Sequence, residues 1–183
     1  LLKTANERCR QITEKDAMTG MFNKLGLSKR LTEIISTGSY RNLAAIFIDI
    51  DNFRRYNQLF SDQESDECLY KICNCIRIIA KTKTRLISRF GGDEFVLVIQ
   101  NIDEYDLISF AEQIRRSIET MALPFEGDRI MSISIGVSGI KDNSLTDYSI
   151  LIKEAEQSLE VAKAAGRNCV GYAGKAYKSD KRA

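Results

Sequence analysis

The chain is 183 residues long, 44% hydrophobic and 28% charged, enough apolar matter for one full core, which excludes a wholly disordered chain. With 27 Lys and Arg against 25 Asp and Glu, the formal net charge is +2, a balance that gives no case for a polybasic surface toward nucleic acid or membrane. The absence of histidine removes imidazole catalysis and His-ligated metal sites, leaving carboxylates, thiolates and carbonyls as metal donors.

Residues 1–15 are polar but carry one apolar stripe, Leu2, Ala5, Cys9 and Ile12, at heptad-like spacing; they read as the end of a connecting helix of a longer protein. The opening is too polar for a signal peptide, and no run of about 18 apolar residues reads as a membrane span. The spacing then predicts a helix over 23–36 and, at 43–50, a strand buried on both faces. A second helix over 63–81 carries Leu69, Ile72, Cys73, Ile76, Ile79 and Ala80 on one stripe. The five cysteines are odd in number and follow no secretory signal, which suits a reducing, cytoplasmic setting. Cys73 and Cys75 point to different faces of that helix, so Cys73 reads as a small core residue rather than a zinc ligand.

Two apolar runs, 85–90 and 95–99, flank Gly91-Gly92-Asp93-Glu94 and predict a β-hairpin. A helix follows over 106–121, and at 131–138 Met131, Ile133, Ile135 and Val137 alternate with Ser132, Ser134, Gly136 and Ser138 as in a strand. The last helix, 147–165, stops at Gly166 in the C′ position; a short strand near 168–172 comes next, and residues 175–183 read as a disordered tail. The expectation is one domain over 16–174 without repeats, of α/β class (an α+β sandwich).

Asp49 ends an otherwise uncharged strand, on the face of Ala45 and Phe47, with Asp51 just beyond it. A carboxylate there must be solvated, paired or bound to a cation, or it caps the following turn. Asp93 and Glu94 sit at the hairpin tip, where they can converge on Asp49. Converging carboxylates call for a cation, and hard oxygens without histidine favour Mg²⁺. Gly91 and Gly92 leave backbone that a phosphate or ribose can approach. Lys163 and Arg167, four apart at the end of the last helix, suit either a phosphate clamp or ordinary charge capping. Asn57 and Asp66 offer the amide and carboxylate that guanine recognition requires.

These residues resemble a known family. Phe90-Gly91-Gly92-Asp93-Glu94-Phe95 is similar to the signature of the GGDEF domain, the catalytic domain of bacterial diguanylate cyclases. The likeness includes Asp16-Ala17-Met18-Thr19-Gly20-Met21 with Asn23, Asp49-Ile50-Asp51-Asn52-Phe53-Arg54 with Asn57, then Asp66, Ser134-Ile135-Gly136-Val137, and Lys163 with Gly166-Arg167-Asn168. It implies a ferredoxin-like central mixed sheet wrapped by helices, like the palm of nucleotide cyclases and polymerases. It further implies Mg²⁺ (two ions per GTP, with Mn²⁺ as a substitute) on Asp49, the Ile50 carbonyl and Asp93, with Asp93 and Glu94 as the catalytic acids. Asn57 and Asp66 would hold guanine, and Lys163, Arg167 and the backbone near Phe53 and Arg54 the phosphates. The reaction implied joins two GTP into cyclic di-GMP across a homodimer, in the cytoplasm, under an upstream sensor domain, with no nucleic acid or direct membrane contact.

Three departures accompany the likeness. Ser61, Asp62 and Ser65 stand where many members have Gly, His and Gly, so Asp62 brings negative charge beside a polyanionic substrate. Glu160 replaces a usual Tyr. Thr82 and Arg85 replace the ends of an inhibitory Arg-x-x-Asp motif, which implies no tight product inhibition there. The alternative is a catalytically silent GGDEF module that binds GTP or a partner.

Overall fold

A computed structural model describes residues 14–177. The stripe of Leu2, Ala5, Cys9 and Ile12 lies outside the described residues. Helix α1 (Lys24–Thr37) starts at Asn23, whose side chain accepts from the Gly26 amide, and ends at Gly38 in the left-handed region. Strand β1 (Asn42–Ile50) follows, then two helices, α2 (Phe53–Leu59) and α3 (Asp62–Ala80). Strands β2 (Leu86–Arg89) and β3 (Glu94–Gln100) form the hairpin; α4 (Glu104–Thr120), β4 (Ile133–Val137), β5 (Lys141–Asp142), α5 (Ser149–Ala164), β6 (Val170–Tyr172) and β7 (Lys175–Tyr177) complete the chain.

The sheet order is β2-β3-β1-β4-β6-β7, with β5 paired to the start of β1. β1 runs antiparallel to both β3 and β4, and β4 is parallel to β6. Units β1–α3–β2 and β3–α4–β4 therefore interleave into the ferredoxin-like order 4-1-3-2 that the family resemblance implies. α2 appears where the sequence reading has only a loop around Asn57. The expected disordered tail is corrected at its start: residues 175–177 pair with β6 through a tight turn at Ala173 and Gly174, both at positive φ.

β1 is buried on both faces because each meets a different core. Ala44, Ile46, Ile48 and Ile50 pack with Ile72, Ile76, Phe110 and Ile114 of α3 and α4. Leu43, Ala45 and Phe47 pack with Leu27 and Leu31 of α1 and Leu151, Ala155 and Leu159 of α5. Each of the Ile, Leu and Phe side chains among them is worth about 1.5–3 kcal/mol when removed from water. Cys73 is buried in the first core, and burial pushes its thiol up to about 12, so it is inert filling as expected. Gly136 and Gly171, paired across β4 and β6, lie directly under the α5 backbone, which leaves no room for a Cβ at either place.

Candidate functional site

Period-two alternation puts Asp49 on the α1/α5 face, one step beyond Phe47, where the apolar cover stops. Its neighbours in register are Glu94 on β3 and Ser134 on β4. The Asp93 carbonyl accepts from the Ile50 amide at 3.2 Å, drawing the hairpin tip against the end of β1. Asp49, Asp93 and Glu94 thus lie at the same end of the sheet.

Lys163, in the last turn of α5, donates to Asp49 Oδ2 at 3.2 Å and also pairs with Glu160 at 3.3 Å. The Asp49 side chain is 15% exposed and that of Lys163 24%. Burial, helped by repulsion from Asp93 and Asp51, raises Asp49 to about 6 against the pull of Lys163. Burial opposes the charge on Lys163 as well, but Asp49 and Glu160 outweigh it and hold the ammonium charged above its ordinary range. Both groups shift upward, which disfavours the charged carboxylate and favours the charged ammonium: the ammonium is shared with Glu160, while the carboxylate is the more enclosed partner.

Arg167 lies beyond α5, which closes with paired bonds: the Gly166 amide donates to Lys163 O and the Arg167 amide to Ala162 O, each at 3.1 Å. Gly166, Arg167 and Asn168 have φ of 98°, 64° and 49°, so the chain turns left-handed for three residues. Gly166 thus occupies the C′ position read from the sequence. The Arg167 side chain is exposed on the same turn, with no side-chain partner among the described residues.

Asp51, which the sequence marked only as leaving the sheet, is a buried anchor. Its carboxylate accepts from Ser132 Oγ and Ser134 Oγ, both at 2.6 Å, and from the Asn168 amide at 3.1 Å. Arg89 likewise has no role in the sequence reading. Its Nε and Nη2 donate to the Gly92 carbonyl at 2.9 and 2.7 Å, and Nη1 reaches Asp16 at 3.3 Å, tying the Gly-Gly turn to the loop before α1. Burial works against the Asp16 charge, but Thr19 and Arg89 outweigh it and keep the carboxyl below its usual range. Glu94 Oε2 lies over Gly91, where a Cβ would collide with it, while Gly92 faces open space.

The other side is less enclosed. Phe53 is buried at the start of α2 and Arg54 is exposed beside it; the first amides of a helix have no partner within it. Asn57, Asp62 and Asp66 are all exposed, on the end of α2 and the first turns of α3. Asp66 lines an open hollow with Met18, Gln63, Glu67, Tyr70 and Lys71. Met18 is an apolar contact there that no helical or strand period singles out. Ser61 forms a capping box with Glu64, each side chain bonded to the other's backbone amide, so the departure from glycine starts α3 firmly. Thr82 Oγ donates to the Ile79 carbonyl at 2.7 Å and Arg85 is exposed, so this pair builds no fork for a ligand.

The donors near Asp49 are hard oxygens, and no three acidic or sulfur side chains among the described residues form a ready cage. An incomplete oxygen set beside an ammonium fits Mg²⁺, which keeps waters and takes substrate phosphates for the rest of its shell. Among the described residues no helix is long and apolar enough to cross a membrane.

The family model for the diguanylate cyclase GGDEF domain matches residues 13–169. Diguanylate cyclase DosC of Escherichia coli K12 is 28% identical over 159 residues, which are 85% of this chain and 34% of DosC. An uncharacterized membrane protein of Staphylococcus aureus has the same identity over 85% of this chain and 44% of its own length. The chain spans less than half of either relative. The coiled coil and GGDEF domain of DgcB from Caulobacter crescentus, solved with c-di-GMP, superposes with a TM-score of 0.79 at 21% identity, over 93% of this chain and 91% of that one. At that identity the likeness concerns the fold.

Proposed function

The chain belongs to the GGDEF domain family of diguanylate cyclases, and from that premise we propose that it condenses two GTP into cyclic di-GMP with release of pyrophosphate. The observation that carries the reading is the meeting of Asp49 and Glu94, in register on β1 and β3, with Lys163 from α5. Acids for a cation and a cation for phosphates stand at one edge.

In this reading Asp49, Asp93 and the Ile50 carbonyl hold Mg²⁺, which supplies charge neutralisation for an in-line displacement. Asp93 accepts the proton of the attacking 3′-hydroxyl, and Glu94 keeps the edge acidic and the tip closed over Gly91. When GTP enters, Lys163 turns from Asp49 to the terminal phosphates, joined by Arg167 and by the backbone at Phe53 and Arg54. Gly91 and Gly92 admit the ribose and phosphates. Asn57 and Asp66 take the guanine edge, with Met18 against the base; Asp62 weakens the approach of the triphosphate. Each domain holds one GTP, so the 3′-oxygen of one attacks the α-phosphorus of the other across a homodimer. The domain acts in the cytoplasm, as the output of a longer sensor protein.

Incubation with GTP and Mg²⁺ at rising protein concentration, followed by nucleotide chromatography, tests this. Cyclic di-GMP whose yield per protomer rises with concentration is expected. GTP bound but unchanged at every concentration would leave the silent module in its place. Calorimetric titration of cyclic di-GMP should show no micromolar binding that depends on Arg85, because Thr82 and Arg85 offer neither the fork nor the carboxylate.

A further inference from the structure

Arg115 on α4 is among the largest fully buried side chains of the molecule, 2% exposed, and lies outside the residues just given roles. Its Nε and Nη2 grip Glu112 at 2.8 and 2.7 Å, a two-pronged contact within the helix. Nη1 is spent differently: it donates to Glu119 Oε2 at 3.0 Å and to Asn168 Oδ1 at 2.6 Å. Glu119 closes the ring by accepting from Asn168 Nδ2 at 2.7 Å. Asn168 therefore has both ends of its amide fixed, and its backbone amide is fixed by Asp51.

Burying a guanidinium is costly, and apolar residues of similar size often stabilise a core as well or better, so stability alone does not account for this ring. What the ring determines is a direction. Arg167 and Asn168 are non-glycine residues held at positive φ, a conformation that persists only where surroundings over-determine it. Asn168 is the last residue of that turn, Arg167 its neighbour, and Lys163 lies one helical turn back. The same Asn168 amide reaches Asp51, two residues past Asp49. One ring on α4 thus sets the phosphate-facing cations and the acid end of β1 relative to each other. Burial opposes the Glu119 charge, but Asn168 and Arg115 outweigh it and hold the carboxyl below its ordinary range, so the ring is ionised when the protein is folded.

Resting on the nucleotide reading above, we propose that Arg115, acting through Glu119 and Asn168, is a positioning residue that aims the Gly166–Asn168 turn, and with it Arg167, at the terminal phosphates of GTP. Lysine is no substitute, because it lacks the planar fork that serves three partners.

The test compares Arg115→Lys, Glu119→Gln and Asn168→Ala with the parent by two readouts. The first is hydrogen exchange of the backbone amide at position 168, which needs no nucleotide. The second is calorimetric affinity for 3′-deoxy-GTP, which cannot cyclise, against GMP, which lacks the terminal phosphates. In all three variants the amide is expected to exchange at least about tenfold faster while β1 and β3 stay protected. Affinity for 3′-deoxy-GTP is expected to fall about tenfold or more, with that for GMP changing less than about twofold. Unaltered exchange at position 168 in the folded variants would overturn the proposal. So would equal losses for the two nucleotides, which is what a merely structural role gives. Glu119→Gln keeps shape and volume, so it decides the matter if Arg115→Lys does not fold. Parent protein that binds GMP and 3′-deoxy-GTP equally would overturn the phosphate clamp itself, and the proposal with it, before any variant is compared.

Discussion

The two ends of the candidate site are built by different means. At the acid end Asp51 has three donors, Lys163 two carboxylates, and Arg167 a turn locked from both sides. Across α2 and α3, Asn57, Asp62 and Asp66 stand exposed with no side-chain partner among the described residues. The difference follows from the work each end would do. Charge stabilisation in a displacement tolerates little misplacement, so its groups are held by the sheet and its buried network. Recognition of a base edge needs only a few donors and acceptors within reach, and those can ride on helix surfaces. The departures at Ser61, Asp62 and Ser65 all fall at the looser end.

The acid end is where one substitution should cost most. Asp49→Asn or Asp93→Asn is expected to lower cyclic di-GMP production by about a thousandfold or more, since in the proposed reading each removes a charged Mg²⁺ ligand worth several kcal/mol. Asp49→Asn should at the same time stabilise the metal-free protein. The folded-state pKa of Asp49, about 6, is above the ordinary value of 3.8. The folded state thus binds the extra proton between those values, and stability falls as pH rises through that window. The asparagine has no charge to desolvate, so the variant should be more stable at neutral pH by about 1–3 kcal/mol, and its stability should be flatter between pH 4 and 6. Denaturant midpoints in a chelator, read at both ends of the window, check the sign. Normal turnover by either variant would remove the acid end from the chemistry.

At the base end the expected effect is smaller and of another kind. Asp66→Ala should raise the GTP concentration needed about ten- to a hundredfold, the worth of one or two hydrogen bonds to a charged acceptor. ATP, which offers an acceptor where guanine offers a donor, should begin to compete. Thermal stability should stay within about 0.5 kcal/mol, because the side chain is exposed. Steady-state kinetics with both nucleotides decide this, and an unchanged preference for GTP would move recognition off α3.

Much of the acid end was legible in the sequence because it lies on regular elements. An uncharged run ending in Asp49, a Gly-Gly-Asp hairpin and a C′ glycine after Lys163 each follow from a period or a turn rule. The network behind them was not legible. Asn168 meets Asp51 across 117 positions and Arg115 across 53, and no local pattern announces such meetings. α2 escaped because the seven residues Phe53–Leu59 are too short for a helical period to stand out. β7 escaped because all three of its residues are exposed, so burial left no alternation to read. At the base end the side chains were legible as types, but the hollow that Asp66 shares with Met18 depends on how the loop before α1 packs on α3.

A smaller effect is expected at the tie that holds the hairpin tip. Arg89→Lys keeps the charge but loses the fork that reaches both Gly92 and Asp16. A loss of about 1–2 kcal/mol is expected, since the side chain is largely enclosed. Exchange at the amides of Gly91 to Asp93 should quicken while the centre of β3 is unmoved. A tip that stayed protected would show that its backbone bonds, from the Phe90 amide to the Glu94 carbonyl (2.8 Å) and from the Ile50 amide to the Asp93 carbonyl (3.2 Å), hold it without the fork.

The smallest effect is the one that most sharpens the comparison. Ser65 is buried on α3 beside Asp66, and its hydroxyl has no hydrogen-bond partner among the described residues. A buried orphan hydroxyl is a cost, and serine is a poorer helix former than alanine. Ser65→Ala is therefore expected to stabilise the protein by about 1 kcal/mol, a rise in melting temperature of about 2–4 °C for a chain of this size. Calorimetry measures that directly. If the base end consists only of exposed side chains, the GTP requirement should not change, because a hydroxyl facing the core touches no nucleotide. A tenfold rise in that requirement, with the stability gained, would mean that the Ser65 hydroxyl turns outward to the base when GTP binds. The base end would then be a second organised region, and the contrast between the two ends would fall.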